Sequence, residues 1–385
     1  MVPPVRLAVY TDYAYRRDGD AVYAERAFVL FLGELAHHVD RLVLVGRLDP
    51  RPGRFERSHY RVAPEIDFVA LPHYESLASP GAASAALRGS ARAFASVLDG
   101  VDAAWLLGPH PLGVVFAAQA ARRGRKVVLG VRQDLPRYAR TRHPGRRAIH
   151  LAADALEASW RLLARRCPTV VVGPQLARNY RRARRVLSIS VSLVHHADVP
   201  AQEDLPEHPY DGELTALSVG RLEAEKNPML LAEVLARLDG RWRLAVCGEG
   251  PLSDRLEARL AELDLTERAE LLGYVPVDGG LGELYRQSQA LLHVSHTEGV
   301  PQILFEAFAA GLPVVATAVG GVAEACGEAA LLVGPGNPEA PAAALRRLVE
   351  EPDLRRRLIA EGLRRVEAHT VEAECERVAA FVTEA

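Results

Sequence analysis

The sequence of 385 residues predicts an α/β protein with two doubly wound domains, each a parallel β-sheet with helices on both faces. Short apolar runs rich in β-branched residues alternate with amphipathic helical stretches along most of the chain. These runs are continuously apolar, which is typical of parallel strands buried on both faces. They fall into two blocks, which indicates two domains.

Each block contains six candidate strands joined by helical stretches. In the first half they are VRLAVY (5–10), RLVLVG (41–46), IDFVAL (66–71), AAWLL (103–107), KVVLGV (126–131) and TVVV (169–172). In the second half they are TALSVG (215–220), WRLAVCG (242–248), ELLGYV (270–275), ALLHVS (290–295), PVVAT (313–317) and ALLVG (330–334). Parallel strands need such helical crossovers, because a tight hairpin can join only antiparallel strands.

A stretch without hydrophobic periodicity, HHADVPAQEDLPEHPYDGE (195–213), separates the two blocks and reads as a linker. We therefore predict an N-terminal Rossmann-like domain over 1–197 and a C-terminal one over 198–369. The last segment is helical in pattern, and we expect a helix over about 370–385 to pack back on the first domain. Two facing domains of this kind leave a cleft at the carboxyl ends of their strands, where ligands bind.

Composition and missing motifs exclude several classes of protein. The four cysteines have no CxxC spacing, which argues against a zinc site or a disulfide framework and favours a reducing cytoplasm. No window reaches the roughly 18 consecutive apolar residues of a membrane span, so we expect a cytoplasmic protein, at most peripheral at the inner face of a membrane. The first strand is not followed by GxGxxG, and no GxxxxGK[ST] loop occurs, which argues against a dehydrogenase and a P-loop enzyme.

The net charge of −2 conceals a basic region between Arg122 and Arg185, where 18 Arg and Lys residues face only three acids. One interpretation is a set of solvated helix faces. The other is a surface for anionic lipid headgroups or another polyanion. Nucleic acid is not favoured as the partner, because no recognisable binding motif or interleaved aromatic residues accompany the charges.

The stretch HTEGVPQILFEAFAAGLPVV (296–315) contains the first candidate site. Glu306 lies in the middle of an apolar helical run, and Glu298 precedes Pro301, which suits the first turn of a helix. Buried carboxylates are costly unless something binds them. A helix N-terminus attracts phosphate, but two carboxylates beside it would repel a bare phosphate. They fit the site if they accept hydrogen bonds from hydroxyl groups of the same ligand, such as the sugars that flank a diphosphate.

The second candidate site is SVGRLEAEKN, at the end of the first strand of the same domain. Arg221 and Lys226 lie in a loop that begins at Gly220, where each charge-assisted hydrogen bond to a phosphate would contribute roughly 1.5–3 kcal/mol. The alternative is an ion pair of these cations with Glu223 or Glu225 on a solvated turn.

Together these segments carry a family resemblance. SVGRLEAEKNP, GEGP, LLGYV, SHTEGVPQILFEAFAAGLPVVAT and VGGVAE occur in an order that resembles family 4 of the retaining, nucleotide-sugar-dependent glycosyltransferases. The resemblance covers the second domain and implies the GT-B fold. It further implies transfer of a hexose from a nucleoside-diphosphate sugar, with UDP favoured over GDP, to an envelope polysaccharide, a glycolipid or a small molecule. No DxD-type acidic cluster accompanies the motifs, so we expect no metal and no other cofactor.

The resemblance also assigns roles to donor-domain residues. Arg221 and Lys226 would bind the diphosphate, and Glu298 would contact the donor sugar. Glu306 would accept hydrogen bonds from the ribose hydroxyls. The remaining donor-binding residues implied by the motifs are Gly220, Gly248, Tyr274, Val275, Gly299 and Val300.

The first domain matches the family less well. His110, in LLGPHPLG, resembles the histidine that faces the transferred sugar, although an ordinary loop histidine is the alternative. Gly19 would belong to a phosphate-contacting loop, but Asp20 replaces its usual second glycine. GVRQDL and HHADVP also depart from the family, so the acceptor stays open. Two other functions remain: a nucleotide-sugar-binding or assembly subunit without catalysis, and an epimerase or hydrolase on the same scaffold.

Overall fold

The computed structural model describes residues 5–51, 60–74, 80–205 and 209–385, which form two compact units. Unit 1 comprises Met1–Val191 and Val371–Ala385, and unit 2 comprises Ser192–Thr370. Unit 1 thus ends a few residues before the boundary expected at 197, because a strand absent from the prediction, Val186–Ile189, closes its sheet there.

Unit 1 alternates strands and helices, as the apolar runs indicate. Its strands are β1 (Arg6–Asp18), β2 (Ala21–Ala24), β3 (Arg41–Leu48), β4 (Tyr60–Arg61), β5 (Asp67–Leu71), β6 (Ala103–Gly108), β7 (Lys126–Val131), β8 (Thr169–Val172) and β9 (Val186–Ile189). Its helices up to this point are α1 (Phe28–Ala36), α2 (Pro80–Val97), α3 (Pro111–Arg122), α4 (Leu135–Arg142), α5 (Arg147–Ala164) and α6 (Pro174–Asn179).

The parallel part of the unit 1 sheet has the strand order β5-β3-β1-β6-β7-β8-β9. The order reverses between β1 and β6, which is the switch point where doubly wound sheets bind ligands. β1 continues past its expected end at Tyr10, because its second half pairs with β2 in an antiparallel hairpin that the sequence analysis did not predict.

Unit 2 contains all six strands predicted for the second half. They are β10 (Leu214–Val219), β11 (Trp242–Cys247), β12 (Ala269–Gly273), β13 (Ala290–His293), β14 (Val314–Thr317) and β15 (Ala330–Val333). The helices are α7 (Met229–Leu235), α8 (Ser253–Glu262), α9 (Leu281–Gln287), α10 (Gln302–Ala309), α11 (Val322–Cys326), α12 (Glu339–Glu350) and α13 (Pro352–Glu367).

The unit 2 sheet is parallel, with the order β12-β11-β10-β13-β14-β15. Its switch point lies between β10 and β13, whose following loops therefore lie side by side. The sheet is covered by apolar helix faces. Trp242 and Leu244 are buried against Leu256 and Leu345, and full burial of such a side chain contributes roughly 1.5–3 kcal/mol. This core fixes the strand ends that carry the predicted donor residues.

The last helix, α14 (Val371–Thr383), belongs to unit 1. It packs on α1, where the Cys375 thiol lies 3.4 Å from the carbonyl oxygen of Phe31. Its buried Glu374 accepts a hydrogen bond of 3.1 Å from the Ser190 amide, just beyond β9. Unit 1 is thus assembled from two separate stretches of chain.

Candidate functional site

Glycines position the first three strand-end loops of unit 2. The Gly220 amide donates to Cys247 O at 2.9 Å, and the Gly248 amide donates to Gly273 O at 2.7 Å. Gly248 has φ of +149°, and a Cβ there would lie 1.9 Å from Gly220 O, so only glycine allows this approach. Gly220 also has a positive φ, +153°, but a Cβ there would meet no described protein atom within 4 Å.

The two predicted segments meet at the switch point. Lys226, in the loop after β10, places its Nζ 2.5 Å from Oε1 of Glu298, in the loop after β13. The same oxygen accepts a hydrogen bond of 2.6 Å from the Ser295 hydroxyl, and Nε2 of His293 lies 3.3 Å from it. Ser295 and His293 were missed as site residues; the only signal was their polarity at the end of an otherwise apolar strand.

The electrostatics of this cluster favour the charged form of Glu298. The Glu298 side chain is only 9 % exposed, and burial alone would raise the pKa of its carboxyl group. The Lys226 ammonium and His293 outweigh that effect and hold the pKa of Glu298 well below its usual range. The carboxylate is therefore an anion at neutral pH and fixes the position of Lys226.

A second pair of glycines supports the loop that carries Glu298. Gly320 has φ of +59°, and a Cβ there would lie 1.9 Å from Glu298 O. The Gly321 amide donates to Gly299 O at 2.9 Å. These glycines belong to the VGGVAE motif but were not predicted as site residues. Val300 is buried, and Pro301 is the residue before α10 rather than part of its first turn.

Glu306 lies in α10 and is half-buried, although the sequence suggested full burial. Its Oε2 accepts a hydrogen bond of 2.8 Å from the Tyr285 hydroxyl of α9. Burial raises the pKa of Glu306, and the Tyr285 hydrogen bond opposes that rise. Tyr285 is thus a protein partner that no sequence pattern revealed, and it accounts for one of the two carboxylate oxygens.

Arg221 takes the ion pair that the sequence offered as the alternative. Its Nη1 lies 2.5 Å from Oε1 of Glu223, and its Nη2 lies 3.5 Å from Oε1 of Glu225. The Arg221 side chain is 40 % exposed, and ion pairs this open to solvent contribute little stability. The exposed guanidinium can therefore exchange a carboxylate for a phosphate at small cost.

The segment expected to contact the nucleobase follows β12. Gly273, with φ of +65°, turns the chain there, and Tyr274 and Val275 are half-buried. The Tyr274 amide donates to Oε1 of Glu249 at 3.3 Å. Glu249 thus joins this segment to the loop after β11 that contains Gly248.

His110 lies at the switch point of unit 1, directly before α3. The Leu112 amide donates to Nδ1 of His110 at 3.3 Å, and the Tyr10 hydroxyl lies 2.8 Å from the same nitrogen. Because Nδ1 accepts the amide proton, the neutral ring carries its own proton on Nε2. Burial lowers the pKa of His110, which favours this neutral form. His110 is therefore held as a hydrogen-bond donor through Nε2, with the Tyr74 hydroxyl 3.4 Å away.

Gly19 lies in the exposed turn of the β1–β2 hairpin, with φ of +55°. Asp18 and Ala21 pair across this turn, and Gly19 and Asp20 form its tip. The positive φ accounts for the glycine without any ligand. The phosphate contact of Gly19 stays a prediction.

Two features are absent from the described part of the chain. No cluster of three or more His, Cys, Asp and Glu side chains in the described ranges is arranged to hold a metal ion. No helix in those same ranges is long and apolar enough to cross a bilayer.

Solved structures of low sequence identity share this architecture over nearly the whole chain. The sucrose-phosphate synthase of Thermosynechococcus elongatus superposes with a TM-score of 0.75 at 20 % identity, covering 99 % of this chain and 98 % of that one. HepE of Anabaena, solved in complex with UDP, superposes with a TM-score of 0.71 at 16 % identity and covers 99 % of this chain. The predicted α/β fold is confirmed: the chain has the GT-B fold of glycosyltransferases, with two Rossmann-like units.

Sequence comparison relates the second unit to known glycosyltransferases. Residues 201–365 match the family described as Glycosyl transferases group 1. The N-acetylgalactosamine-N,N'-diacetylbacillosaminyl-diphospho-undecaprenol 4-alpha-N-acetylgalactosaminyltransferase of Campylobacter jejuni is 35 % identical over 143 residues, 36 % of this chain and 38 % of that protein. The 2-deoxystreptamine glucosyltransferase of Streptomyces kanamyceticus is 29 % identical over 236 residues, 58 % of this chain and 59 % of that protein. Most of unit 2 is thus similar to this family, and the chain spans less than two thirds of the length of either relative.

Proposed function

We propose that the chain is a retaining family 4 glycosyltransferase that moves a hexose from a nucleoside-diphosphate sugar to an acceptor. The observation that carries the proposal is the Lys226–Glu298 pair, which joins the two loops at the switch point of unit 2, most of which is similar to Glycosyl transferases group 1. UDP is favoured over GDP as the nucleotide, and the UDP complex of the structurally similar HepE supports that choice.

The proposed chemistry rests on charge. Breaking the bond to the anomeric carbon leaves negative charge on the diphosphate, and fixed cations stabilise it in the transition state. Lys226 has three N–H donors, of which Glu298 engages one, so two remain for phosphate oxygens. Arg221 and the first amides of α10 would add to this field. In this scheme Glu298 is a positioning residue for Lys226 as well as a contact for the sugar.

We propose that the reaction needs no divalent metal, because these cations already neutralise the leaving group. A phosphate oxygen of the leaving diphosphate would take the acceptor proton, and the acceptor would attack the face from which the nucleotide departs.

The test is a thermal-shift panel of UDP, GDP, ADP and their common sugar conjugates, with magnesium or with a chelator. A ligand at a hundred times its dissociation constant adds about 2.7 kcal/mol to the free energy of unfolding. We expect one nucleotide to raise the melting temperature more than the others do in the presence of chelator. We also expect that nucleotide to be released from its sugar conjugate only when acceptor is added. A flat panel would contradict the donor site. Binding without turnover across a broad acceptor panel would favour a non-catalytic subunit.

Glu306→Ala tests the ribose contact. We expect nucleotide affinity to fall about tenfold or more, because hydrogen bonds to a charged group contribute roughly 1.5–3 kcal/mol, while turnover at saturation changes little. The matched control is Tyr285→Phe, which removes the hydrogen bond within the protein but keeps the carboxylate. If both variants lose stability equally and neither loses affinity, Glu306 is structural.

For the acceptor we propose a carbohydrate, a glycolipid or a small molecule, bound by unit 1. We also propose that the basic region 122–185 contacts an anionic membrane surface. Leu151 and Leu162, which are three helical turns apart on α5, are 69 % and 63 % exposed. An exposed apolar stripe with basic neighbours suits the headgroup region of an anionic bilayer. Sedimentation with anionic but not with neutral vesicles tests this.

A further inference from the structure

A cavity of about 400 Å³ lies in unit 1 at the end of α5. Five arginines line it: Arg161, Arg165, Arg178, Arg181 and Arg182. All five arginines are exposed at the surface, and a concave site lined by charges of one sign raises the local concentration of ions of the opposite sign, here anions.

Protein carboxylates compensate only part of this positive charge. Arg161 donates from Nε to the buried Glu157 at 2.8 Å, and Oε1 of Glu157 also accepts a hydrogen bond of 2.9 Å from the Tyr180 hydroxyl. Within the described residues, Arg165 and Arg182 form no ion pair. The cavity therefore keeps a clear excess of positive charge.

The topology places this cavity away from the switch point of unit 1. The end of α5 leads into β8, so it lies at the edge of the sheet where the parallel strands begin. α6 follows β8 and returns to the start of β9, which brings its last turn to the same edge. His110 follows β6 and lies at the opposite edge. The arginines are thus not part of the site predicted to face the sugar.

We propose that this arginine cavity is a second ligand site, separate from the donor site, that binds a phosphate-bearing group. Guanidinium groups match phosphate oxygens with paired N–H donors, and arginine is the side chain that favours such bidentate recognition. A cavity of about 400 Å³ is in the size range of small-ligand sites, roughly 300–1,000 Å³, and is too small for a folded partner. The group comes either from a soluble polyphosphate compound or from the headgroup of an anionic lipid, and the two sources share this chemistry.

The test compares two double variants that remove the same charge. R181S/R182S removes two arginines of the cavity, and R146S/R147S removes two consecutive exposed arginines at the other end of α5. Tripolyphosphate is the soluble probe, titrated by calorimetry into chains that carry Lys226→Ala so that the donor loop does not contribute. Vesicles of phosphatidylglycerol, with phosphatidylcholine as the neutral reference, are the lipid probe.

We expect R181S/R182S to weaken binding of the effective probe about tenfold or more, as the loss of one or two charge-assisted contacts would. R146S/R147S should leave tripolyphosphate binding nearly unchanged and should weaken vesicle binding less than R181S/R182S does, because Arg146 and Arg147 belong to the basic region but not to the cavity. Tripolyphosphate binding without vesicle binding identifies a soluble ligand, and the reverse identifies a lipid headgroup. Equal losses of probe affinity in the two double variants would show that binding depends only on total charge and would contradict the proposed site. Binding of neither probe would overturn it as well.

Discussion

Lys226→Ala should lower turnover about 10²- to 10³-fold, the usual effect of removing one preorganised donor to a developing negative charge. Lys226 is a cation at the switch point of unit 2, and its Nζ lies 2.5 Å from the buried carboxylate of Glu298. The measurement is steady-state release of the nucleoside diphosphate at saturating donor and acceptor. Lys126→Ala is the matched control, because it removes a lysine from an exposed position in unit 1.

The same variant should change stability in a pH-dependent way. The pKa of Glu298 is depressed in the folded chain, so its contribution to the free energy of unfolding is present above the unfolded glutamate value of about 4.3 and is lost as the pH falls through the folded pKa. Lys226→Ala should therefore be destabilised most at neutral pH and converge with the unmodified chain in acid.

A double variant separates the two effects. Lys226→Ala with Glu298→Gln removes the buried charge together with its partner, so stability at neutral pH should recover while turnover stays low. Recovery of both quantities would mean that Lys226 only supports the fold, and the proposed role at the diphosphate would be withdrawn.

Gly320→Ala should both destabilise unit 2 and lower turnover by distorting the proposed donor site. A left-handed φ costs a residue with a Cβ about 1–2 kcal/mol, and the clash with Glu298 O at 1.9 Å adds roughly 1–3 kcal/mol of forced backbone movement. Because the displaced atoms belong to Glu298, we expect turnover to fall more than tenfold as well, in line with loss of the fixed Lys226 position. Chemical denaturation and the same transfer assay measure both effects.

Gly336→Ala is the control for strain alone. Gly336 also has a positive φ, +82°, but a Cβ there would meet no described atom within 4 Å. Gly336→Ala should lose only the stability that a left-handed φ costs a residue with a Cβ, and it should keep full turnover. If Gly320→Ala and Gly336→Ala change stability and turnover equally, the close approach of Gly320 to the Glu298 loop does not affect function.

The fold was predictable where strands are mainly apolar. In unit 2 all six predicted strands are present, and each is mainly apolar, although β12 and β15 are partly exposed. In unit 1 the elements that escaped prediction are short or half-exposed: β2, β4 and β9 lie outside the continuously apolar runs. Edge and hairpin strands gain their stability from pairing with a neighbour, which a local pattern does not encode.

The residues of the candidate site were easier to predict than their contacts. Lys226 and Glu298 stood out as charges beside strand ends, but their 2.5 Å contact depends on β10 and β13 being neighbours. The bond from Tyr285 to Glu306 joins two helices whose relative orientation only packing decides. The hairpin turn at Gly19 was not predicted, because a turn glycine and a ligand-loop glycine give the same sequence pattern, and its phosphate contact stays a prediction.

The return of α14 to unit 1 sets an order for folding during synthesis. Unit 2 is one uninterrupted stretch, Ser192–Thr370, inserted between the two parts of unit 1. A chain emerging from the ribosome at about 5–20 residues per second therefore completes unit 2 before it supplies the helix that covers α1. Unit 1 is the first to be synthesised and the last to be completed, and the α1 surface around Phe31 stays uncovered until α14 has emerged. A chain stalled near residue 370 should thus carry a finished unit 2 and an unfinished unit 1 that chaperones recognise.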